Sequence, residues 1–348
     1  MRRSGIAAVL AAACALLLAG GGSALAQGSG GPVSAAEWKK TEQAAEQQGR
    51  VVLYLSIAGV EARMKAAFRK AYPKLQLDVI RQPTGQLIGR LDAERQASAN
   101  GADVVFHTDR GWFDQVTSHL VPATGPALNL YKGTKNAFSE NRYFTSMLVP
   151  FSIAYNTQVL ASLGVGVPTG WQDMLNPKFA NGLVGLPERG SAPVTLQCLY
   201  DIAQTQGMGY FERLGKLKPR LYPSIGPTVQ SVAAGANAVG MVQTAAPADL
   251  IKAGAPIKQM VPTNPSCYYG YFVAQVGWSK RPEAAQVLLN WMMSRAGQEA
   301  IHGWGYSASP LEKIPGGLDV KPGVPLLDGI LTPAQQEFGK QFDKLIAG

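Results

Sequence analysis

The 348-residue chain is poor in residues that bind metals or act as nucleophiles. Its three histidines, His107, His119 and His302, are far apart and do not match the spacing of zinc ligands. Beyond residue 26 there is no Gly-x-Ser-x-Gly sequence, and acidic residues are sparse, with 23 in all. These absences disfavour a metalloenzyme and a serine hydrolase. The sequence therefore predicts no catalytic residues, no bound metal and no cofactor.

Long hydrophobic runs are missing beyond the amino terminus. Residues 6–19 form an uncharged apolar run, shorter than the roughly 20 residues that span a bilayer. Arg2 and Arg3 precede it and Ala24-Leu25-Ala26 follows it, as in a secretory signal peptide with a small-x-small cleavage site. We expect residues 1–26 to be a signal peptide that is cleaved after Ala26, and the mature protein to be periplasmic. The sequence leaves open whether the Sec or the twin-arginine route exports it.

Positive charges outnumber negative ones, with a formal net charge of +9 at pH 7. The Lys and Arg residues are spread along the chain, and no basic run is interleaved with aromatic residues. We therefore expect no nucleic-acid partner. The basic excess is consistent with an anionic ligand, with a membrane surface, or with solubility alone.

Cysteine is scarce, and after cleavage of the signal peptide Cys198 and Cys267 remain. In an oxidising compartment the two could form a disulfide, but the sequence cannot show whether their geometry permits one. We favour two buried free thiols.

Strands and helices alternate in the first third of the mature chain. Residues 51–55 form a continuous β-branched and apolar run, typical of a strand buried on both faces. A helix with an apolar stripe from Val60 to Ala71 follows and ends at Pro73. The next elements are a strand at residues 75–80, a helix that begins near residue 87 and a strand at residues 103–106. This alternation predicts a parallel sheet with right-handed crossovers.

The same alternation returns in the second half of the chain. The predicted strands are residues 182–186, 238–242, 257–261 and 271–276, and the predicted helices are residues 194–204, 228–234, 282–294 and a final helix from residue 332. The extended segment 145–156 lies between the two halves, and we interpret it as a hinge. We therefore predict an α/β fold of two doubly wound lobes joined by a hinge, with a cleft between them. We expect residues 27–148 to form lobe 1, completed by about 264–310, and residues 149–263 to form lobe 2, completed by about 311–348.

Five stretches, in order from about residue 51 to residue 301, resemble one protein family. They are residues 51–56 with Phe68-Arg69-Lys70-Ala71-Tyr72-Pro73, residues 90–94 with Ala102-Asp103-Val104-Val105, Ile153-Ala154-Tyr155-Asn156-Thr157, residues 171–178, and Pro282-Glu283-Ala284-Ala285 with Trp291, Ser294, Gly297 and Gln298. They are similar to stretches of the type II periplasmic solute-binding proteins of ABC importers. The branch concerned includes ferric-iron, thiamine, polyamine, phosphonate and sugar-phosphate binders. The resemblance implies the type II periplasmic binding protein architecture.

The resemblance also implies a function: capture of a small solute by lobe closure and its delivery to the membrane permease of an ABC transporter. We expect a monomer that is not an enzyme, and the basic charge favours an anionic solute such as a phosphonate, a phosphate ester or a carboxylate. A ferric-iron-binding transport protein is the alternative, and a secreted hydrolase is a second one. Ferric-iron binders of this branch carry adjacent tyrosines after the strand that is here 238–242, where this chain has Gln243-Thr244-Ala245-Ala246.

Candidate ligand contacts follow from a general rule of doubly wound lobes. Ligands bind beyond the carboxyl ends of the strands, where helix N-termini favour anions. The rule selects Ser56, Ala58, His107, Thr108, Arg189, Gly190, Ser191, Gln243 and Thr244. To these we add three aromatic residues of the predicted hinge regions, Tyr155, Tyr268 and Tyr269.

Several of these candidates have a second interpretation. Arg189 could donate two parallel hydrogen bonds to a carboxylate or a phosphate, or it could be a solvated arginine in an ordinary turn. His107 could donate to an oxyanion or could cap a helix without a ligand. Tyr268, Tyr269 and Tyr271 could each face the solute or pack within a strand.

Overall fold

The longest strand, β5 (Tyr143–Asn156), has all 14 of its residues buried and belongs to two sheets. Its first half pairs antiparallel with β10 (Tyr268–Gln275). Its second half pairs antiparallel with β8 (Val239–Gln243) and with β9 (Ile257–Met260). The extended segment predicted at residues 145–156 is therefore confirmed.

The structure is a computed structural model that describes residues 33–131, 133–310, 313–320 and 326–346. The signal peptide predicted at residues 1–26 lies outside the described residues. Within the described ranges, every helix is too short or too polar to cross a membrane.

The first sheet has the strand order β2-β1-β3-β10-β5. Its parallel strands are β1 (Arg50–Leu55), β2 (Gln76–Arg81) and β3 (Val104–His107). Two short strands, β4 (Ala137–Phe138) and β11 (Leu326–Leu327), pair with β5 and β10. Every residue of β1 after the first is buried, as its apolar sequence predicts.

The second sheet continues from β5 in the order β5-β8-β6-β7, with β6 (Val184–Pro187) and β7 (Arg220–Tyr222) parallel to each other and β6 parallel to β8. Because β10 is antiparallel to both β3 and β5, strands β1 to β3 run in the direction of β5, toward the second sheet. Strands β6 to β8 run against β5, toward the first sheet. The carboxyl ends of both parallel sets therefore face each other.

Twelve α-helices in the described part of the chain accompany the two sheets. They are α1 (Ala35–Gln48), α2 (Glu61–Ala71), α3 (Thr84–Gln96), α4 (Arg110–Gln115), α5 (Thr157–Leu163), α6 (Pro193–Gln206), α7 (Gly209–Lys216), α8 (Ile225–Ala233), α9 (Ala248–Lys252), α10 (Pro282–Met293), α11 (Arg295–His302) and α12 (Pro333–Ile346). The helices and strands predicted from the sequence are confirmed within a few residues at their ends. Strands β4, β7 and β11 and helices α1, α4, α5, α7, α9 and α11 are not among the predicted elements.

We call the first sheet with its helices the first lobe, and the second sheet with its helices the second lobe. Helices α2, α10 and α11 belong to the first lobe, where the rings of Phe68 and Trp291 pack edge to face at 5.2 Å. The carboxyl-terminal helix α12 packs on the second lobe, where Phe338 and Phe342 lie 5.6 and 5.4 Å from Phe211. Burial of each such ring adds about 2 kcal/mol to the free energy of unfolding.

A buried ion pair fixes the first lobe near its centre. Asp103 accepts from the Nε of Arg281 at 2.7 Å, from the backbone N–H of Val52 at 2.7 Å and from the Oγ of Ser279 at 2.6 Å. Because both oxygens of this fully buried carboxylate accept hydrogen bonds, its desolvation is compensated. The contacts tie β1 and the start of β3 to the turn that precedes α10.

Cys198 on α6 and Cys267, the residue before β10, form a disulfide, with their Cα atoms 5.5 Å apart. The expectation of two free thiols is therefore wrong. The residues are 69 positions apart in the sequence, and only the packing of α6 against the start of β10 brings them together.

We expect the double variant Cys198→Ala, Cys267→Ala to have a free energy of unfolding about 2–4 kcal/mol lower than the wild type, because the unfolded chain loses a cross-link over a long loop. Urea denaturation measures this change. A peptide map without reductant should show the two cysteine peptides joined, and recovery of both peptides with free thiols would contradict the assignment.

Candidate functional site

A cavity lies where the carboxyl ends of the two parallel sets of strands face each other. The first lobe contributes the residues at the ends of β1, β2 and β3, and the second lobe those at the ends of β6, β7 and β8. The described lining residues are Ser56, Ala58, Arg81, Pro83, Thr84, Thr108, Ser191, Ala192, Thr195, Ser224, Ile225, Gly226, Gln243 and Tyr271. The cavity is thus built from both lobes.

The two lobes touch at the margin of this cavity. A Cβ atom added to Gly59 would lie 2.9 Å from the carbonyl oxygen of Ala245, and one added to Gly85 would lie 3.4 Å from the carbonyl oxygen of Gly190. Gly59 also has a φ of +83°, which a side chain would disfavour. The cleft between the lobes is therefore closed in this structure.

Three helices begin at the cavity: α3 at Thr84, α6 beside Ala192 and α8 at Ile225. The first N–H groups of an α-helix have no partner within the helix, and the helix dipole makes this end positive. The residues that precede the helices, Pro83, Ala192 and Ser224, provide no side-chain hydrogen bond to them. These helix starts therefore offer backbone donors to an anion.

Arg81, the last residue of β2, is the one charged residue among the described lining residues. Its Nε lies 3.2 Å from the Oε1 of Glu61, which leaves the rest of the guanidinium available as a donor. None of the described lining residues is acidic, so the electrostatics of the wall favour a negatively charged guest.

Hydroxyl and amide groups complete the wall. The phenol of Tyr271 donates to the Oε1 of Gln243 at 3.1 Å, and burial raises the pKa of Tyr271 so that it stays protonated. The hydroxyls of Thr84 and Thr108 lie 3.3 Å apart. The Oγ of Ser56 is buried in the same wall, beside the phenol of Tyr271.

Five of the twelve residues selected from the sequence line the cavity: Ser56, Ala58, Thr108, Ser191 and Gln243. Each follows or ends a parallel strand, as the carboxyl-end rule requires. The structure places the other seven elsewhere.

His107 is fully buried behind the cavity wall. Its ring stacks on Phe113 at 4.4 Å, its Nδ1 accepts from the backbone N–H of Asp109 at 3.3 Å, and burial lowers its pKa to about 3. A second buried histidine, His302, has its pKa lowered by burial to about 4, and its Nδ1 lies 2.8 Å from the Oγ of Ser307. Both rings are neutral at pH 7, and neither lines the cavity.

Arg189 does not line the cavity, in contrast to our expectation. Its Nε and Nη2 donate to the two carboxylate oxygens of Asp343 on α12, at 2.7 and 2.6 Å. This hydrogen bonding raises the pKa of Arg189. The two parallel hydrogen bonds that Arg189 could have donated to a ligand thus hold α12 in place. The next residue, Gly190, lies at the margin of the cavity, outside its lining.

Tyr155 and Thr244 also lie outside the lining. Tyr155 pairs with Val239 at the start of β8, whereas the cavity is at Gln243 at the end of that strand, about 13 Å away at the usual rise per residue. Thr244 is buried, and its hydroxyl donates to the carbonyl oxygen of Tyr306.

Tyr268 and Tyr269 pack within the crossing strand β10. Tyr268 is paired with Pro150, and Tyr269 is fully buried with its ring 4.9 Å from Phe151 and 5.7 Å from Tyr271. Strand packing, one of the two interpretations, accounts for both residues. Tyr271 is the tyrosine of this group that reaches the cavity.

Nine lining residues are not among the twelve selected from the sequence: Arg81, Pro83, Thr84, Ala192, Thr195, Ser224, Ile225, Gly226 and Tyr271. The carboxyl-end rule, applied to β2, would have selected Arg81, Pro83 and Thr84. The residues from α8 follow β7, which is only three residues long and therefore gives no periodic signal.

The described residues contain no group of three or more His, Cys, Asp or Glu side chains that could hold a metal ion. The described lining of the cavity likewise has no histidine or carboxylate. What this wall can do chemically is donate hydrogen bonds to a small guest and surround it.

Comparison with known proteins places the chain among binding proteins. Residues 55–299 match the family model of the bacterial extracellular solute-binding proteins. No curated protein sequence matches the chain.

Solved structures share the fold. The substrate binding protein of the ABC transporter from Agrobacterium tumefaciens superposes with a TM-score of 0.71 at 14% identity, over 87% of this chain and 97% of its own. The periplasmic binding protein AfuA from Actinobacillus pleuropneumoniae, with bound fructose-6-phosphate, gives 0.63 at 20% identity, over 86% and 97%. Iron-bound HitA from Pseudomonas aeruginosa gives 0.57 at 18%, over 86% and 98%. At these identities the likeness concerns the fold alone.

We expect the buried histidines to make the folded state less stable in acid. The unfolded state binds protons below the ordinary histidine pKa near 6.5, whereas the folded state holds the pKa of His107 near 3 and that of His302 near 4. The stability contributed by each neutral ring is complete above pH 6.5 and falls as the pH drops below it. When the pH is lowered from 7 to 5, proton binding to each of these histidines in the unfolded state should lower the free energy of unfolding by about 2 kcal/mol.

Urea denaturation of His107→Asn at the two pH values tests this expectation, because the variant should lose about half of the acid-induced decrease. His119, whose side chain is exposed, supplies the control variant His119→Gln, which should retain the full decrease. An unchanged decrease in His107→Asn would contradict the prediction.

Proposed function

Because the chain belongs to the bacterial extracellular solute-binding protein family, whose members bind small solutes and work with ABC transporter permeases, we propose that it is the periplasmic receptor of an ABC importer for a small anionic solute. One observation carries the anionic class: Arg81 and three helix starts without side-chain caps surround a cavity that has no acidic residue in its described lining. Phosphonates, phosphate esters and carboxylates have the required chemistry.

The hydrogen-bond donors of the cavity wall are sufficient for the affinity that an importer needs. Micromolar binding corresponds to about −8 kcal/mol. Charge-assisted hydrogen bonds contribute about 1.5–3 kcal/mol each, so Arg81 with a few backbone and hydroxyl donors supplies enough after the ordering costs. No covalent step is involved: the described lining contains three serines, Ser56, Ser191 and Ser224, but no histidine or carboxylate to activate them. We therefore propose capture without chemical change.

Closure of the lobes is part of the proposal. A solute held between residues of both lobes binds the closed state more tightly than the open one and so shifts the equilibrium toward it. The proposed hinge is formed by β5 and β10. Residues 27–148 and about 264–310 would move as one lobe, and residues 149–263 and about 311–348 as the other, except that β11 pairs with β10 of the first lobe. The packing of α10 on α1 and of α12 on α6 and α7 supports this division. Since one chain supplies both walls, a monomer suffices.

Ferric iron is the alternative guest, and the site favours it less. Iron binders of this branch are expected to carry adjacent tyrosines after the strand that is here β8, and this chain has Gln243 and Thr244 there. Tyr268 and Tyr269 lie outside the described lining, and burial keeps the phenol of Tyr271 protonated.

We expect Arg81→Gln to weaken anion binding about ten- to hundredfold, because it removes the charged donor of the wall. The solute is first selected by thermal shift from inorganic phosphate, methylphosphonate, fructose 6-phosphate and citrate, and its affinity is then measured by calorimetry. Arg189→Gln is the matched control, since the guanidinium of Arg189 is bonded to Asp343 outside the cavity, and it should bind within about twofold of the wild type. Equal affinity of wild type and Arg81→Gln would exclude Arg81 from the site.

We expect ferric citrate to produce no visible tyrosinate-to-iron charge-transfer band when it is added to the protein. Absorption spectroscopy measures this directly. If a band appeared and was lost in Tyr271→Phe, iron would replace the anion as the proposed guest.

A further inference from the structure

A second set of contacts joins the two lobes outside the cavity. Arg63 on α2 of the first lobe donates from Nη1 to the Oδ1 of Asp249 on α9 of the second lobe, at 3.0 Å. The guanidinium of Arg63 and the Nζ of Lys252, also on α9, both lie over the ring of Trp304, at 4.3 and 4.2 Å from its centroid. We call these four residues the interlobe latch.

The latch joins two bodies that have separate sheets. Trp304 follows α11, which packs on α2 in the first lobe, and α9 connects β8 to β9 in the second. Next to the latch, the hydroxyl of Thr244 bonds the backbone of Tyr306, and Gly59 approaches the backbone of Ala245. Movement of the lobes away from each other at this margin would break the latch contacts.

Arg63 is poorly solvated in the closed structure. Its side chain is 11% exposed, its Nε is buried without a hydrogen-bond partner in the described residues, and burial lowers its pKa. The carboxylate with which it forms an ion pair, Asp249, comes from the other lobe. A desolvated cation gains most from a carboxylate and an aromatic face, so these contacts are stronger than those of an ordinary surface pair.

None of the four latch residues belongs to the described lining of the cavity. The latch contacts can therefore form without a solute in the cavity. We propose that it sets the balance between the open and the closed form, so that Arg63, Asp249, Lys252 and Trp304 act as positioning residues that determine solute affinity without touching the solute. This inference rests on the lobe closure of the proposed function, but not on the anionic class of the solute.

The expected effect follows from the population of the closed form. Observed affinity falls in proportion to the fraction of molecules that are competent to bind. One ion pair together with a cation–π contact shifts such an equilibrium about three- to tenfold. Loss of the latch should therefore open the solute-free protein and weaken binding by up to that factor.

Small-angle X-ray scattering of the solute-free protein tests the proposal. Asp249 is 57% exposed, so Asp249→Asn removes the charge and keeps the fold. Glu299→Gln is the matched control, because Glu299 is 49% exposed and pairs at 2.7 Å with Arg295 on the same helix, α11. We expect a larger radius of gyration for Asp249→Asn than for the wild type, and a wild-type value for Glu299→Gln. Trp304→Leu should expand the protein as Asp249→Asn does.

The outcomes separate the latch from the proposed solute class. If all the variants kept the wild-type radius while inorganic phosphate or fructose 6-phosphate contracted the protein, the latch proposal would be overturned and the anion proposal retained. If Asp249→Asn expanded the protein and none of inorganic phosphate, methylphosphonate, fructose 6-phosphate and citrate contracted this variant, the latch would stand and the anionic class would be wrong. Where an anion binds, Asp249→Asn should bind it more weakly than Glu299→Gln does, by up to the three- to tenfold expected for loss of the whole latch.

Discussion

The backbone pairing of β5 with β10 is the interaction on which the rest of the structure depends. Along β5 the partner changes from β10 in the first lobe to β8 and β9 in the second, and no residue of the strand is exposed. Because one strand serves two sheets, the direction of every other strand follows from it. The parallel strands of the first lobe point toward the second lobe, and those of the second lobe point back. The loops that follow them meet in one place, and that place is the cavity.

The polarity of the cavity comes mainly from the backbone. Three helix starts without side-chain caps offer backbone N–H groups, and Arg81, which is also paired with Glu61 at 3.2 Å, adds a charged donor. Such a wall can accept a small anion without a cluster of basic residues, which explains why the even spread of Lys and Arg in the sequence gives no sign of a site. It also explains why the more conspicuous Arg189 can have a different role, in holding α12 on the second lobe.

Two further restraints act on the lobes at different points. The disulfide between Cys198 and Cys267 ties α6, whose first turn lines the cavity, to the start of the crossing strand β10. The disulfide keeps the first turn of α6, which forms one wall of the cavity, close to the proposed hinge strand β10. The interlobe latch, by contrast, is made of an ion pair and cation–π contacts, which would break if the lobes moved apart as proposed. A permanent tie near the hinge and a reversible contact at the margin together suit a receptor that closes over its solute.

Much of the fold could be predicted from the sequence because its signals are local. The apolar run of β1, the helical stripe of α2 and the extended segment of β5 each depend on residues that are close together in the chain. Elements without such a signal were missed: β7 has three residues and α9 has five, too few to show a period. For the same reason the residues after β7, which line the cavity, could not be selected.

The sequence by itself determined the alternation of strands and helices, the resemblance to solute-binding proteins and the general position of the site at the ends of strands, because each of these follows from the order of residues along the chain. Only the tertiary structure decided which of those residues reach the cavity, that Cys198 is bonded to Cys267, that Arg189 faces Asp343, and that Arg63 meets Asp249 across the lobes. Each of these contacts joins residues dozens to more than a hundred positions apart. Their partners are chosen by the packing of whole elements, which no local pattern of residues records.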